Sequence, residues 1–253
     1  MAYLRSGPKD DDEKLFLAKI LDTVNACNKY SKNSYTNFID PSQQMLIKEK
    51  ILAAHTFFGG YDGAERKILC VALPFAEINL DEFPISVLRV DNLSDFPLTH
   101  RDYLGSVLAL GLKREKIGDI LTDYQGAYII LMKDILAYVM DNLKKIGNKG
   151  VNVREVSVKD IVIKSKEVQI KYITSASMRL DAIISSALHI SRADALDVIS
   201  AKRVSVNHKL CEKASYLLNQ KDLVSVRGYG RIKIAGIGRL TKKGRINVEI
   251  ERF

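Results

Sequence analysis

The sequence predicts an α+β protein in three parts: a helical N-terminal region (residues 1–65), an α/β central domain (66–174) and a small C-terminal domain of two helices plus a twisted antiparallel sheet (175–253). Three observations lead there. Apolar residues recur at helical spacing near the N-terminus, short β-branched runs alternate with helical stretches through the middle, and the charge balance shifts near residue 175. Residues 175–253 hold 15 Lys and Arg against 7 Asp and Glu, whereas residues 1–174 hold 24 against 23. Nearly all of the net charge of +9 therefore sits in the last third.

After the acidic run Asp10 to Glu13, Leu15, Leu17, Ala18, Leu21 and Val24 follow helical spacing. Asp40-Pro41-Ser42-Gln43 then supplies an N-cap, a proline at the first helical position and a capping-box glutamine, ahead of Met45, Leu46, Ile47, Ile51 and Leu52. Gly59-Gly60-Tyr61-Asp62-Gly63 breaks the pattern. Strands are expected at Ile68 to Leu73, Ile85 to Val90 and Ala127 to Met132, with helices from about His100 and from about Asp134 to Ile146. Thr99 reads as an N-cap with Asp102 three residues on, and Tyr103, Leu104, Val107 and Leu108 make an apolar stripe that ends at Gly111. Val151 to Val158 and Glu167 to Ile173 read as closing strands of a mixed or antiparallel sheet covered by helices.

In the C-terminal domain, Leu180, Ile183, Ile184, Ala187 and Leu188 occupy one helix face. Ser191-Arg192-Ala193-Asp194 is a capping-box variant that opens a second helix through Ala195, Leu196, Val198 and Ile199, with Arg192 in its first turn. Val204-Ser205-Val206, a turn at Asn207-His208, a loop through Tyr216-Leu217-Leu218 and a strand from Leu223 to Arg227 complete a small sheet.

Several classes of function are excluded. The three cysteines, Cys27, Cys70 and Cys211, lie far apart and form no CxxC pair, which argues against a disulfide framework or a cysteine zinc site and for a reducing cytoplasm. The segment MAYLRSGPKDDDEKLF lacks the apolar run of a signal peptide, and no stretch of about 18 apolar residues occurs elsewhere, so neither secretion nor membrane insertion is expected. His55, His100, His189 and His208 are scattered, so no metal site is expected. His100-Arg101-Asp102 copies the kinase catalytic triplet without its following asparagine or a preceding glycine-rich loop. Gly228-Tyr229-Gly230 and Gly236-Ile237-Gly238 do not complete G-x-G-x-x-G before a helix, so they fit turns and bulges rather than a cofactor site. No cofactor and no catalysis are expected. A compact basic module on a nearly neutral body is instead the footprint of a polyanion binder, nucleic acid before a membrane surface.

Met178-Arg179-Leu180-Asp181, Ser191-Arg192-Ala193, Val204-Ser205-Val206-Asn207 and Lys221-Asp222-Leu223-Val224-Ser225-Val226-Arg227-Gly228 together resemble the RNA-binding domain named after small-subunit ribosomal protein four. The family pattern has glycine after the asparagine and a Gly-Asp pair before the strand. His208 and Lys221 stand at those places here, so the tight-turn geometry does not follow from the resemblance. The resemblance implies that the two-helix face meets structured RNA, through positions occupied here by Arg179, Ser191, Arg192, Lys202, Arg203 and Lys209, with Arg227 and Arg231 flanking the strand end. Helix N-termini offer N–H groups to phosphates and arginine adds a bidentate fork. For Arg179 and Arg192 the alternatives are phosphate contact, a solvated surface arginine, or pairing with a carboxylate. Lys242-Lys243-Gly244-Arg245 reads as a charged hairpin turn or an RNA contact. Arg179-Leu180-Asp181 also resembles the catalytic aspartate segment of pseudouridine synthases; here it opens the domain's first helix, where Asp181 would pair with a neighbouring base or cap the helix.

Leu98-Thr99-His100-Arg101-Asp102-Tyr103-Leu104-Gly105, continuing to Gly111-Leu112-Lys113-Arg114-Glu115-Lys116-Ile117-Gly118-Asp119-Ile120, resembles the signature stretch of the YlmH family, and Gly59-Gly60-Tyr61-Asp62-Gly63-Ala64-Glu65-Arg66-Lys67 fits it too. That resemblance implies a central domain like an RNA-recognition motif. It also implies a cytoplasmic bacterial factor that binds rRNA and stranded peptidyl-tRNA on the large ribosomal subunit, acts in ribosome-associated quality control, and helps a partner that adds a tail to the stalled nascent chain. Family genes lie near cell-division genes. His100, Arg101, Lys113, Arg114 and Lys116 are candidates for a second RNA or partner surface, against a plain solvated helix cap. The sequence lacks the aromatic-rich stacking motif of true RNA-recognition motifs, so the fold would not by itself imply single-strand binding through the sheet. The competing functions are an RNA-modifying enzyme acting on rRNA or tRNA and a cell-division scaffold.

Overall fold

The computed structural model describes residue 4 and residues 11–73, 76–94, 96–161 and 169–252. Contacts divide the chain into two compact units, residues 1–164 and 165–253. The α+β class holds in both.

The first unit begins with α1 (Asp11–Tyr30), β1 (Ser34–Ile39), α2 (Pro41–Lys50), β2 (His55–Phe58) and β3 (Lys67–Val71). The Asp40 carboxylate accepts from the Gln43 amide and the Gln43 side chain returns to the Asp40 amide, so the predicted capping box starts α2 behind Pro41. The three strands form an antiparallel sheet in the order β1-β3-β2. Ile68 to Leu73, expected in the central sheet, thus supplies β3 of an N-terminal sheet, and residue 65 falls inside the β2–β3 hairpin. Alternation along β3 explains why. Leu69 and Val71 point at Leu17, Ile20 and Val24 of α1 and Ile47 of α2, while Ile68 and Cys70 point the other way.

What lies on that other side is the central domain: β4 (Ile85–Asn92), α3 (His100–Leu108), β5 (Ile117–Thr122), β6 (Gly126–Met132), α4 (Leu136–Asn142), β7 (Lys145–Ile146) and β8 (Lys149–Val156). The sheet order is β5-β6-β4-β8-β7, all antiparallel. Its βαββαβ core is that of an RNA-recognition motif or ferredoxin-like domain. Leu88, Val90, Ile129 and Leu131 pack against Tyr103 and Val107 of α3 and Val139 of α4. Val87, Ile130 and Met132, on the opposite face, pack against Phe38, Ile68 and Cys70 of the N-terminal sheet. The first unit is therefore four layers, helices outside and two sheets face to face inside. Gly118 of β5 permits the close approach, since a Cβ there would stand 2.8 Å from the Phe38 ring.

The second unit comprises β9 (Gln169–Ser175), α5 (Leu180–Leu188), α6 (Arg192–Ser200), β10 (Val204–Val206), β11 (Lys209–Leu210), β12 (Leu223–Val226), β13 (Gly230–Leu240) and β14 (Ile246–Arg252). Its six strands run β11-β10-β12-β13-β14-β9. The sequence predicts a strand at Glu167 to Ile173 in the central sheet. Instead β9 pairs with β14 along its whole length, from Arg252 opposite Gln169 to Ile246 opposite Ser175; Glu167 and Val168 lie outside the described residues. Ile173 faces the core of this unit, whereas Ile170 and Tyr172 are exposed. The unit holds 17 Lys and Arg against 8 Asp and Glu, and residues 1–164 hold 22 of each. With β9 included, the whole excess of positive charge belongs to the second unit.

Asn207 and His208 join β10 to β11 with φ of +49° and +66°, and Lys221 has φ of +74°. The left-handed turns that glycine serves in the related domains are thus kept here by residues that carry a side chain.

Candidate nucleic-acid interface

The apolar face of α5 is buried through Leu180, Ile183, Ile184, Ala187 and Leu188, which leaves its N-cap residue, Arg179, at the surface edge. The Leu180 amide donates to the Tyr216 carbonyl at 2.8 Å and fixes this entry point. Arg179 donates from Nε and Nη2 to the two oxygens of Asp181 at 3.0 and 3.1 Å. Arg192, the first residue of α6, reaches the same carboxylate at 3.5 Å. The Asp181 side chain is 5% exposed and those of Arg179 and Arg192 are 43% and 58% exposed. One buried carboxylate therefore holds two arginines from neighbouring helix starts. Each guanidinium carries five N–H donors, so both keep donors in water. Carboxylate pairing and solvent exposure, read as alternatives from sequence, are both present.

Burial alone would push the Asp181 carboxyl up, but the paired Arg179, the Ala182 amide and the Arg192 charge outweigh it and hold the group below the usual carboxylate range. Of the two roles open to Asp181 from sequence, it takes the pairing with neighbouring bases, Arg179 and Arg192, and not that of helix cap; it is the anchor of the arginine pair.

Ser191 caps α6: its hydroxyl accepts the Asp194 amide at 3.0 Å and donates to the Asp194 carboxylate at 2.7 Å. Lys202 and Arg203 follow the other end of α6, about 14 Å from its start for nine residues at 1.5 Å each. The Arg203 guanidinium donates to the Arg227 carbonyl at 2.8 Å, and the Arg227 amide donates to the Arg203 carbonyl at 2.9 Å, so these two are locked side by side. Lys202 is paired with Glu212 at 3.3 Å, Lys209 is exposed on β11, and Arg231 lies opposite Ser225 in the β12–β13 register. The eight residues thus include two local groups, Arg179 with Arg192 and Arg203 with Arg227. Arg245 of the basic hairpin donates to the Thr174 carbonyl at 3.0 Å.

In the first unit, His100 and Arg101 occupy the exposed first turn of α3, behind a capping box between Thr99 and Asp102. Lys113 is exposed. Lys116 pairs with Asp134, and Arg114 is half-buried, its Nη1 donating to the carbonyls of Ile117 and of Gly118. Sequence reading singled out Lys113, Arg114 and Lys116, but Tyr61, Arg66 and Asp119 only as members of the quoted motifs. Asp119 accepts from the Tyr61 hydroxyl and the Glu65 and Arg66 amides, at 2.7 to 3.1 Å. Arg66 in turn donates from Nε to the Ile117 carbonyl and from Nη2 to the Phe38 carbonyl, each at 3.0 Å. The two signature stretches, Gly59 to Lys67 and Gly111 to Ile120, therefore form one interlocked constellation.

Residues 79–160 match the family model described as a putative RNA-binding domain in YlmH, and residues 178–224 match the S4 domain. The chain is 30% identical over 245 residues, 95% of each chain, to ribosome-associated protein quality control protein P2 of Bacillus subtilis (strain 168). It belongs to the YlmH family. A solved structure, cell division protein ylmH from Streptococcus pneumoniae, is similar with a TM-score of 0.51 at 22% identity, covering 62% of this chain and 98% of that one. In this YlmH-family chain the central match spans β4 to β8 and the S4 match runs from α5 into β12, so the N-terminal sheet and β9, β13 and β14 lie outside both. The sheet face by which RNA-recognition motifs bind single strands is covered by Phe38, Ile68 and Cys70. Any RNA contact of the central domain must therefore use a surface other than that sheet face. Among the described residues, no group of three or more His, Cys, Asp and Glu could hold a metal ion, and no helix is long and apolar enough to cross a membrane.

Proposed function

We propose that this protein is a non-catalytic, cytoplasmic RNA-binding factor that docks on the large ribosomal subunit, contacts rRNA and the peptidyl-tRNA held there, and serves the rescue of stalled ribosomes together with a tailing factor. The observation that carries this is the pair of exposed arginines, Arg179 and Arg192, held by the buried Asp181 on a unit that bears the whole net charge. Phosphate oxygens are the natural partners of such forks, because a pre-aligned guanidinium loses little freedom on binding. Ser191, Lys202, Arg203, Lys209, Arg227 and Arg231 extend the footprint. His100, Arg101, Lys113, Arg114 and Lys116 would contribute a second surface for RNA or partner, the exposed Lys113 and Arg101 more directly than the engaged Arg114 and Lys116. The ribosome enters through the name of the Bacillus subtilis relative.

The test is the salt dependence of binding to purified large subunits. If about six phosphates are neutralised, affinity falls by roughly 10³ between 50 and 200 mM salt. A nearly flat response contradicts the proposal.

A further inference from the structure

A cavity of about 660 Å³ opens in the first unit between α1, β1 and the turn at Lys113 to Glu115. Four cations line it: Lys19, Arg66, Lys113 and Arg114. Two acids line it as well, and both are engaged: the Asp40 carboxylate accepts from the Gln43 amide and the Ser42 hydroxyl, and Glu115 accepts from the Asn37 side chain at 3.2 Å. Arg66 and Arg114 meet on a single acceptor, the Ile117 carbonyl. Both are half-buried, and among the described residues neither has a carboxylate as hydrogen-bond or ion-pair partner.

Burial and the neighbouring Arg66 charge hold Arg114 down to about 10 against the pull of Asp119, and burial lowers Arg66 despite the charges of Asp40, Asp119 and Glu115. Bringing two guanidinium groups together away from water is unfavourable, and the charges of Asp40, Glu115 and Asp119 offset it only in part; with four cations and two acids lining the cleft, a further anion would be favoured there. Arg66 spends two N–H groups on carbonyls and Arg114 those of Nη1, so both retain donors.

We propose that this cleft is a phosphate-binding site, with Arg66 and Arg114 as its floor and Lys113 and Lys19 at its rim, taking either a phosphodiester of an RNA backbone or the phosphate of a free nucleotide. It deepens the second surface named above and rests on the Lys113 to Lys116 turn facing a ligand. It does not depend on the C-terminal arginines.

Side-chain Nε–Hε signals of Arg66 and Arg114 in the full-length, ¹⁵N-labelled protein test it, with inorganic phosphate, adenosine monophosphate and an RNA hairpin as probes. Inorganic phosphate is expected to move both signals saturably, Lys113→Ala to weaken that binding about fivefold through loss of one charged contact, and Arg179→Ala with Arg192→Ala to leave it unchanged. Tighter saturation by the hairpin assigns the site to RNA backbone; tighter saturation by the mononucleotide assigns it to a free nucleotide. If the signals move no more with phosphate than with sodium chloride of equal ionic strength, the site does not exist, whether or not RNA still binds through Arg179 and Arg192. Saturable phosphate binding with no RNA binding at all would overturn only the C-terminal reading.

Discussion

Asp181 subtracts a charge from the basic face, yet it sets the direction of both arginines. The two effects separate on substitution. In Asp181→Asn the net positive charge rises by one, so binding to unrelated RNA should hold or strengthen, while binding to the large subunit weakens about tenfold because the forks must be ordered on contact. Parallel titrations against both targets check this, and equal strengthening of both would remove the positioning role. The resemblance to the ribosomal-protein-four domain pointed to Arg179, Ser191 and Arg192, and the capping box placed the last two at a helix start. The shared carboxylate was not legible, because the meeting of Arg179 and Arg192 on Asp181 depends on how α5 packs on α6. The same limit hid Arg66, which lies in a quoted motif yet becomes a partner of Arg114 only through the Ile117 carbonyl. Lys221 shows a residue-scale cost: it sits at φ +74° with an exposed side chain. Lys221→Gly should raise stability by about 0.5 kcal/mol, the relief of the left-handed strain less the entropy glycine gains when unfolded, read from the urea midpoint.

At the scale of elements, strongly patterned helices were legible: α2, α3 and α6 start at the boxes that Asp40, Thr99 and Ser191 announce. The strands were harder. Ser34–Ile39 carries polar residues among its apolar ones, His55–Phe58 is only four residues long, and Ile117–Thr122 contains Gly118, so period-two alternation is weak in all three. Sheet membership was legible for β4 with β6 and for β10 with β12, but not for β3 or β9. Both β3 and β9 were expected in the central sheet, and β9 even presents Ile170 and Tyr172 to solvent, so its apolar pattern misdirects. The facing of β5 on the N-terminal sheet depends on Gly118, where a methyl would press on Phe38 at 2.8 Å. Gly118→Ala should therefore cost about 2 kcal/mol of overpacking in the first unit. Thermal melts of the full chain would show it, and melting unchanged from that of the native protein would mean that the two sheets are not close-packed there.

For the molecule as a whole, charge and burial assign different work to the two units. The first is neutral overall and buries both faces of its central sheet; the second carries the entire excess of +9 on a small domain with two helices and six strands among its described residues. The charge shift and the motif string were visible in sequence, but the boundary at 174 left Lys166 and Lys171 with the wrong body, and the four-layer packing that closes the sheet face was invisible without the fold. Family membership brings the ribosome into view, and the geometry brings the arginines that would meet it. The most direct measurement is co-sedimentation of the full chain with large ribosomal subunits, with and without peptidyl-tRNA, comparing the native protein with the Arg179→Ala, Arg192→Ala double variant. Loss of two charged phosphate contacts at about 1.5 kcal/mol each predicts binding at least a hundredfold weaker in the variant, measured below its thermal transition because the substitutions leave the buried Asp181 without its arginine partners. Binding by the double variant equal to that of the native protein would contradict a C-terminal interface and move the RNA contact to the first unit.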